Sequence, residues 1–271
     1  MILDQILANT RREVEERCAR TPLALPSLAS LTEPGGARSA VFTAALRQPG
    51  VSCIAEIKRR SPSGGEIRPD MSVEEIAQTY AAAGAAALSV LTDARYFGGS
   101  DADLIAARRA SGLPVLRKDF VVDSYQVLEA RALGADAVLL IVRALGDAEL
   151  RKLLELTQRC GLAALVETHS ADEVERALNA GASVIGINNR DLDTLITDVS
   201  LAPRLRPLVP AECICVAESG VSRPEDVAVL RQAGVDAVLV GESLLRAADP
   251  GAKLRELIAA GMPARVGGVG Q

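Results

Sequence analysis

Short apolar runs recur along the chain, and five of them begin just after a glycine that closes a stretch of helical periodicity. Glycine suits the left-handed conformation at the end of a helix, and a run of Val, Ile and Leu suits a parallel strand that is buried on both faces. The pattern therefore predicts a helix followed by a strand at Gly84, Gly134, Gly161, Gly181 and Gly234.

Three further apolar runs complete the predicted set of strands: Val51–Ile57, Leu113–Arg117 and Cys213–Glu218. Helical segments separate the strands, and three of these segments start with a serine followed three residues later by glutamate, as in a capping box. These serines are Ser72, Ser170 and Ser222. Eight strand and helix units predict an α/β protein with the closed (β/α)₈ (TIM) barrel fold. A doubly wound open sheet is the alternative, but no G-x-G-x-x-G sequence follows the first strand.

The predicted barrel occupies residues 46–262. Residues 1–45 are expected to form an N-terminal helical extension and a proline-rich linker. Residues 263–271 are expected to be a flexible tail. In the extension, one face of a helix carries Leu3, Ile6, Leu7 and Val14.

Composition narrows the possible classes of function. The 271 residues are 49% hydrophobic and 24% charged, which is typical of a globular protein with a large core. A net charge of −5, no long Lys/Arg run and 2% aromatic residues argue against nucleic acid as a partner. The chain start resembles no signal peptide, and no apolar run is long enough to span a membrane. We expect a cytoplasmic monomer whose partner is a small molecule.

Cysteine and histidine usage limits the possible metal and disulfide chemistry. The five cysteines are odd in number and lack a CxxC pair, so neither a disulfide framework nor a zinc ribbon is expected. We interpret Cys53, Cys213 and Cys215 as small core residues. The single histidine, His169, excludes sites built from several histidines, and no metal site is predicted.

Polar side chains follow most of the predicted strands, where a barrel of this type has its active site. Alternation places Glu56 and Lys58 on the same inward side of the first strand. A single charged residue at such a position would be interpreted as a solvated loop residue. Because five strand ends converge on one barrel mouth, a catalytic or binding role is favoured instead. The remaining candidates at these ends are Lys118, Glu167, Asn188, Arg190, Glu218 and Ser219.

Small-residue turns follow the first, seventh and eighth strands at residues 61–65, 218–222 and 241–243. Turns after the last two strands, with a short helix N-terminus, form the usual phosphate site of such barrels. The turn at 61–65 is either a flexible loop or a phosphate-contacting lid. Nearby aromatic residues, Phe120 among them, suit either core packing or contact with a planar ring.

His169 comes two residues after Glu167, where the strand is expected to give way to an exposed loop. A catalytic role is the alternative, but we expect the imidazole to be dispensable.

Eight segments, in this order, resemble signature segments of the indole-3-glycerol phosphate synthase family: IAEIKRRSPSGG, SVLTDARYFGGS, LPVLRKDFVVD, GADAVLLI, LVETHS, GINNRDL, AESGV and DAVLVGESLLR. The resemblance extends from about residue 3 to residue 255, and EIKRRSPS, RKDF and GINNRDL are its most specific parts. It implies a (β/α)₈ barrel with an N-terminal helical segment. It also implies that the protein closes the pyrrole ring of 1-(2-carboxyphenylamino)-1-deoxyribulose 5-phosphate, releasing carbon dioxide and water, without a cofactor.

The resemblance also implies a role for individual residues. The family's catalytic residues correspond here to Glu56, Lys58, Lys118, Glu167, Asn188, Arg190, Glu218 and Ser219. Its phosphate contacts correspond to Ser61, Gly220, Gly241 and Glu242, the last through its backbone N–H. Phe120 and Leu139 are expected to enclose the anthranilate ring. Gly64 departs from the family, whose members often carry lysine there, so the loop is expected to attract an anion less strongly.

Two alternatives predict different residues. Another phosphate-binding barrel enzyme, such as phosphoribosylanthranilate isomerase, should carry a cysteine and an aspartate at its strand ends. A catalytically silent barrel should have lost at least one of Lys118, Glu167 and Glu56, and the sequence retains all three.

Overall fold

Eight parallel strands form a closed barrel in this computed structural model, which describes residues 2–21 and 36–263. Each strand pairs with the next along the chain, and the last pairs with the first, aligning Ala237 with Ser52. All the predicted strands are present, and the (β/α)₈ prediction is confirmed. The strands are β1 (Ser52–Ile57), β2 (Ala87–Leu91), β3 (Val115–Lys118), β4 (Ala137–Ile141), β5 (Ala163–Thr168), β6 (Val184–Asn188), β7 (Ile214–Glu218) and β8 (Ala237–Val240).

Helices surround the barrel, and at least one follows each strand. They are α1 (Ile2–Arg20), α2 (Gly36–Leu46), α3 (Val73–Ala83), α4 (Ala94–Phe97), α5 (Asp101–Ser111), α6 (Ser124–Leu133), α7 (Asp147–Arg159), α8 (Ala171–Asn179), α9 (Leu201–Leu205), α10 (Pro224–Gln232), α11 (Glu242–Leu245) and α12 (Pro250–Gly261). All five predicted helix-ending glycines have positive φ, from 67° to 94°. No described helix is both long and apolar enough to cross a membrane.

Two of the three predicted helix starts are confirmed. The hydroxyls of Ser72 and Ser170 accept hydrogen bonds from the backbone N–H groups three residues later. The prediction at Ser222 is wrong, because α10 begins two residues later. Its first turn is organised by Asp226, whose carboxylate accepts the N–H groups of both Ser222 and Arg223.

Side chains on each strand alternate between the barrel interior and the helix layer. On β1, for example, Ile54 belongs to the interior cluster, whereas Cys53 and Ala55 belong to the cluster under the helices. The same alternation turns a polar residue at or near the end of each of five strands into the barrel mouth. These residues are Glu56, Lys118, Glu167, Asn188 and Glu218.

The two N-terminal helices lie at opposite ends of the barrel. Phe42 and Leu46 of α2 are fully buried in the interior cluster with residues that begin the strands, so α2 closes the N-terminal end. The apolar face predicted for α1 is buried, and Ile6 lines the barrel mouth. Residues 22–35 of the predicted N-terminal extension and linker, and residues 264–271 of the predicted tail, lie outside the described residues.

All five cysteines are free. Cys53, Cys213 and Cys215 are buried, which confirms their interpretation as core residues. Burial raises the pKa of the Cys53 and Cys215 thiols to about 12, so both remain protonated at neutral pH.

Candidate active site

A cavity of about 450 Å³ opens at the carboxyl ends of the strands, where the sequence predicted the site. Every predicted site residue lines it: Glu56, Lys58, Ser61, Lys118, Phe120, Leu139, Glu167, Asn188, Arg190, Glu218, Ser219, Gly220, Gly241 and Glu242. The cavity combines apolar walls with a small set of convergent charges, as small-molecule sites commonly do.

Lys118 lies at the centre of these charges. Its Nζ is 3.4 Å from Glu167 Oε2 and 3.7 Å from Glu218 Oε2, and both glutamate side chains are only 2% exposed. Burial lowers the pKa of the lysine, but the surrounding carboxylates outweigh that effect and raise the pKa above its ordinary value. The ammonium therefore stays charged throughout the neutral range.

The end of β3, which carries Lys118, is held from the opposite side by Arg117. This guanidinium is 1% exposed and lies 2.8 Å from Glu129, 3.1 Å from Asp101 and 3.3 Å from Asp119. A buried charge needs such partners to offset its loss of hydration. Arg117 was missed at the sequence level because burial of an arginine has no signature in a four-residue strand.

Glu56 and Lys58 form an ion pair with Nζ and Oε1 2.7 Å apart, which confirms their predicted common face. Burial raises the pKa of Glu56, but Lys58 and Lys118 outweigh it and the pKa is lowered. Gly241 faces this pair, and a Cβ there would lie 2.5 Å from Glu56 Oε1. Only glycine leaves room for the carboxylate at this point.

Glu167 is held through both of its oxygens. Oε2 faces Lys118, while Oε1 accepts a hydrogen bond of 3.1 Å from Asn188 Nδ2. Burial raises its pKa, but Lys118 and His169 outweigh burial and bring the pKa well below its ordinary range. Glu167 is thus a carboxylate at neutral pH.

Glu218 is the opposite case in the same cluster. Burial and the neighbouring charge of Glu167 raise its pKa to about 8, because two carboxylates beside one lysine are not stable together. Oε1 of Glu218 lacks a hydrogen-bond partner and projects over Gly186, where any Cβ would collide with it. Near neutrality, this pair therefore contains one carboxylate and one carboxylic acid.

The expectation that His169 begins an exposed loop is wrong. Its side chain is 2% exposed, with Nε2 3.3 Å from Glu167 Oε1 and Nδ1 3.1 Å from Glu173 Oε2. The first turn of α8 brings Glu173 back over the strand end, and its carboxylate also accepts the His169 backbone N–H at 2.8 Å. Burial lowers the imidazole pKa, but the two carboxylates outweigh it and raise the pKa to about 9.

Residues 60–66 form a short antiparallel hairpin rather than an open loop, with Arg60–Ser61 paired to Gly65–Glu66. Ser61 is buried, and its Oγ accepts the Gly64 N–H at 3.0 Å. Arg190, predicted among the catalytic residues, turns toward this hairpin and donates to Ser63 Oγ at 2.6 Å. Its guanidinium therefore faces the hairpin side of the cavity.

The predicted phosphate turns lie together on that side. Gly220 has a φ of 80°, and a Cβ there would lie 2.7 Å from Thr197 and Val199. Ser219 also has a positive φ, 65°, and its carbonyl accepts Asn189 Nδ2 at 3.0 Å. Gly241 precedes the short helix α11, which starts at Glu242.

Two groups in the cavity wall were missed by the sequence reasoning. The first turns of α1 contribute Ile2, Leu3 and Ile6. The apolar pattern of this helix predicted that one face is buried, but it did not indicate which part of the barrel that face packs against. Arg246 donates to the Gly64 carbonyl at 2.7 Å and to Glu242 Oε1 at 2.9 Å. It follows α11 and adds a cation beside the phosphate turns.

Phe120 and Leu139 both line the cavity, and the ring of Phe120 lies 6.0 Å from that of Phe97. Part of the cavity wall is thus apolar. Within the described parts of the chain, no three or more His, Cys, Asp or Glu side chains are grouped to hold a metal ion.

The raised pKa values of Glu218 and His169 predict that the protein loses stability as pH rises above neutrality. From pH 4.5 to about 8 for Glu218, and from pH 6.5 to about 9 for His169, the folded state holds a proton that the unfolded state has released. The free energy of unfolding should therefore fall over this range, with a limiting slope of about 1.4 kcal/mol per pH unit for each group. Urea unfolding at pH 6.5, 8 and 9 measures this, and a constant or rising stability would contradict it.

The sequence matches the family model described as indole-3-glycerol phosphate synthase over residues 3–257. It is 52% identical over 257 residues to the indole-3-glycerol phosphate synthase of Acidithiobacillus ferrooxidans, covering 94% of this chain and 98% of that protein. It is also 52% identical over 255 residues to indole-3-glycerol phosphate synthase 2 of Streptomyces coelicolor, covering 93% and 98%.

Among solved structures, the fold resembles thiamine phosphate pyrophosphorylase from Pyrococcus furiosus with a TM-score of 0.59 and 17% identity, covering 79% of this chain and 96% of that one. A structure titled native KDPGal gives a TM-score of 0.56 at 19% identity, covering 79% and 95%. At these identities the likeness concerns the barrel fold alone.

Proposed function

The chain belongs to the indole-3-glycerol phosphate synthase family, and from this premise we propose which of its side chains carry each chemical step. The reaction converts 1-(2-carboxyphenylamino)-1-deoxy-D-ribulose 5-phosphate to indole-3-glycerol phosphate in tryptophan biosynthesis. The ring carbon that bears the carboxylate attacks the ketone, carbon dioxide leaves, and the new hydroxyl is then lost as water. The chain is therefore a carboxy-lyase.

Lys118 is the general acid of ring closure. The ketone oxygen must gain a proton as the aromatic carbon attacks it, and an ammonium in a buried site both donates that proton and stabilises the developing negative charge. The position of Nζ between Glu167 and Glu218 is the observation that carries this assignment. The ionised carboxylates around it, chiefly Glu167, keep the lysine protonated until the substrate arrives.

Glu167 is the base of the dehydration step. Loss of water requires removal of a proton from carbon and protonation of the departing hydroxyl. The carboxylate of Glu167 is ionised at neutral pH, lines the cavity and has Oε2 beside Lys118. Lys58 either protonates the hydroxyl or binds the substrate carboxylate.

The other polar residues position the reacting groups. Glu56 holds Lys58, and Asn188 holds Glu167. Together with Arg190, Glu218 and Ser219, they bind substrate hydroxyls and restrict its conformations, an effect as large as proton transfer itself. Phe120 and Leu139 enclose the anthranilate ring.

Ser61, Gly220, Gly241 and the backbone N–H of Glu242 bind the substrate phosphate. A helix N-terminus and adjoining small-residue turns offer N–H groups to an anion. Because Glu242 acts through its backbone and its side chain is paired with Arg246, its carboxylate does not oppose phosphate binding. The absence of a lysine at Gly64 weakens the attraction of the hairpin for phosphate.

We expect inorganic phosphate to inhibit competitively, and Ser61→Ala to raise its inhibition constant by about tenfold. The reason is that a hydrogen bond to a charged group is worth about 1.5 kcal/mol or more. Initial rates with phosphate, against sodium chloride at equal ionic strength, measure this and separate binding from screening. If phosphate does not inhibit, or if Ser61→Ala leaves the inhibition constant unchanged, the phosphate group does not bind at Ser61.

Turnover itself is tested by incubating the purified protein with the carboxyphenylaminodeoxyribulose phosphate while following indole fluorescence. Fluorescence should rise, and phosphoribosylanthranilate should not be isomerised. The strand ends carry two lysines and three glutamates rather than the cysteine and aspartate expected of that isomerase, and the cysteines of β1 and β7 are core residues.

The protein is further proposed to act as a cytoplasmic monomer on this small phosphorylated substrate. Its free thiols suit a reducing compartment. All the residues assigned above come from one chain, so the site does not require a second copy.

A further inference from the structure

His169 contacts the candidate base through an oxygen that Lys118 does not reach. Its Nε2 lies 3.3 Å from Glu167 Oε1, the oxygen that also accepts Asn188 Nδ2, whereas Lys118 faces Oε2. His169 Nε2 is buried and has no hydrogen-bond partner in the described structure, so its contact with Glu167 is an ion pair without hydrogen-bond geometry. One oxygen of Glu167 is thus contacted by His169 and Asn188, and the other is contacted by Lys118, the proposed general acid.

The imidazole is itself held in place from behind. Glu173, on the first turn of α8, contacts both Nδ1 and the backbone N–H of His169. Arg143 lies 3.0 Å from the other oxygen of Glu173 and 3.2 Å from Asp191. The row of alternating charges therefore runs from Glu167 out to the surface loop after β6.

We propose that His169 is a positioning residue for Glu167, and that its ring, held by Glu173, fixes Oε1 so that Oε2 points at the substrate. The proposal rests on the assignment of Glu167 as the base of dehydration. Neither His169 nor Glu173 needs to touch the substrate for this role. It replaces the expectation from the sequence that His169 is dispensable.

The charges around His169 determine how its loss affects pH dependence. Glu167 faces the ring from β5 and Glu173 from α8, while Lys118 of β3 and Glu218 of β7 lie beyond Glu167. With its pKa raised to about 9, the imidazole is a cation at neutral pH and favours the ionised form of Glu167. Removing that cation should raise the pKa of Glu167.

His169→Gln tests the proposal, because the amide still forms hydrogen bonds but carries no charge. We expect kcat to fall by about tenfold or more with KM changed by less than about threefold, since the substrate contacts remain. The acidic limb of the kcat/KM profile should move to higher pH. Glu173→Gln, which leaves the imidazole in place but removes the charge that holds it, should give a smaller change in the same directions.

Thr168→Val is the matched control. Thr168 lies between Glu167 and His169 but points away from the cavity, donating to the Gly186 carbonyl at 2.8 Å. It should lower thermal stability while leaving kcat and the pH profile unchanged. The proposal would be overturned if His169→Gln kept the wild-type kcat and the wild-type acidic limb of the kcat/KM profile. It would also be overturned if Thr168→Val changed both quantities as much as His169→Gln does.

If His169→Gln does not fold, the acidic limb of Glu173→Gln decides: a shift to higher pH supports the proposal and an unchanged limb overturns it. Glu167→Gln separates this inference from the assignment beneath it. Full activity in Glu167→Gln would show that Glu167 is not the base. If activity is lost in Glu167→Gln but retained in His169→Gln, only the positioning role of His169 is rejected.

Discussion

Lys118→Ala is expected to lower kcat by about 10²- to 10⁴-fold while the barrel remains folded, because a positioned general acid contributes about that much to rate. The substitution removes the proton donor and leaves Glu167, Glu218 and Glu56 without their shared cation. Those carboxyl groups should then take up protons more readily. Single-turnover formation of indole fluorescence measures the loss, and circular dichroism checks the fold.

Lys118→Arg is the matched control for charge. Arginine keeps a cation beside the two glutamates but does not release its proton in a protein. If Lys118 acts as the acid, Lys118→Arg should be nearly as slow as Lys118→Ala. If Lys118→Arg recovers activity, the role of Lys118 is electrostatic rather than that of an acid. If Lys118→Ala keeps more than half of the wild-type kcat, Lys118 has no role in the mechanism.

Glu167→Gln should also cost about 10²- to 10⁴-fold in kcat, since the amide cannot accept a proton from carbon. The loss should fall on dehydration rather than on ring closure. Carbon dioxide release in a single turnover should therefore precede indole formation by a measurable delay. Simultaneous slowing of both products would move the role of Glu167 to the earlier step.

Glu218→Gln provides the comparison within the same cluster. Both glutamates contact Lys118, but the pKa of Glu218 is about 8, so near neutral pH glutamine resembles the protonated form already present. The expected loss at pH 7 is smaller than that of Glu167→Gln. Equal losses at pH 7 would show that the two carboxyl groups do not differ in protonation as described.

Much of the fold was predictable from sequence because its signals are local. A helix-ending glycine acts through its own φ, and burial on both faces of a strand needs a continuous apolar run, so all eight strands could be located. The three strands whose bounds were predicted end within two residues of the observed ends. Alternation with a period of two also predicted that Glu56 and Lys58 share a face.

The sequence by itself determined which residue types stand at the barrel mouth, because strand direction and alternation bring the strand ends to one place. Only the tertiary structure decided what each does there. Whether Glu167 or Glu218 is ionised depends on distances to Lys118 and on burial across three strands, and the environment of His169 depends on a helix turn that folds back over it. Such quantities arise from residues far apart in the chain, and no local pattern encodes them.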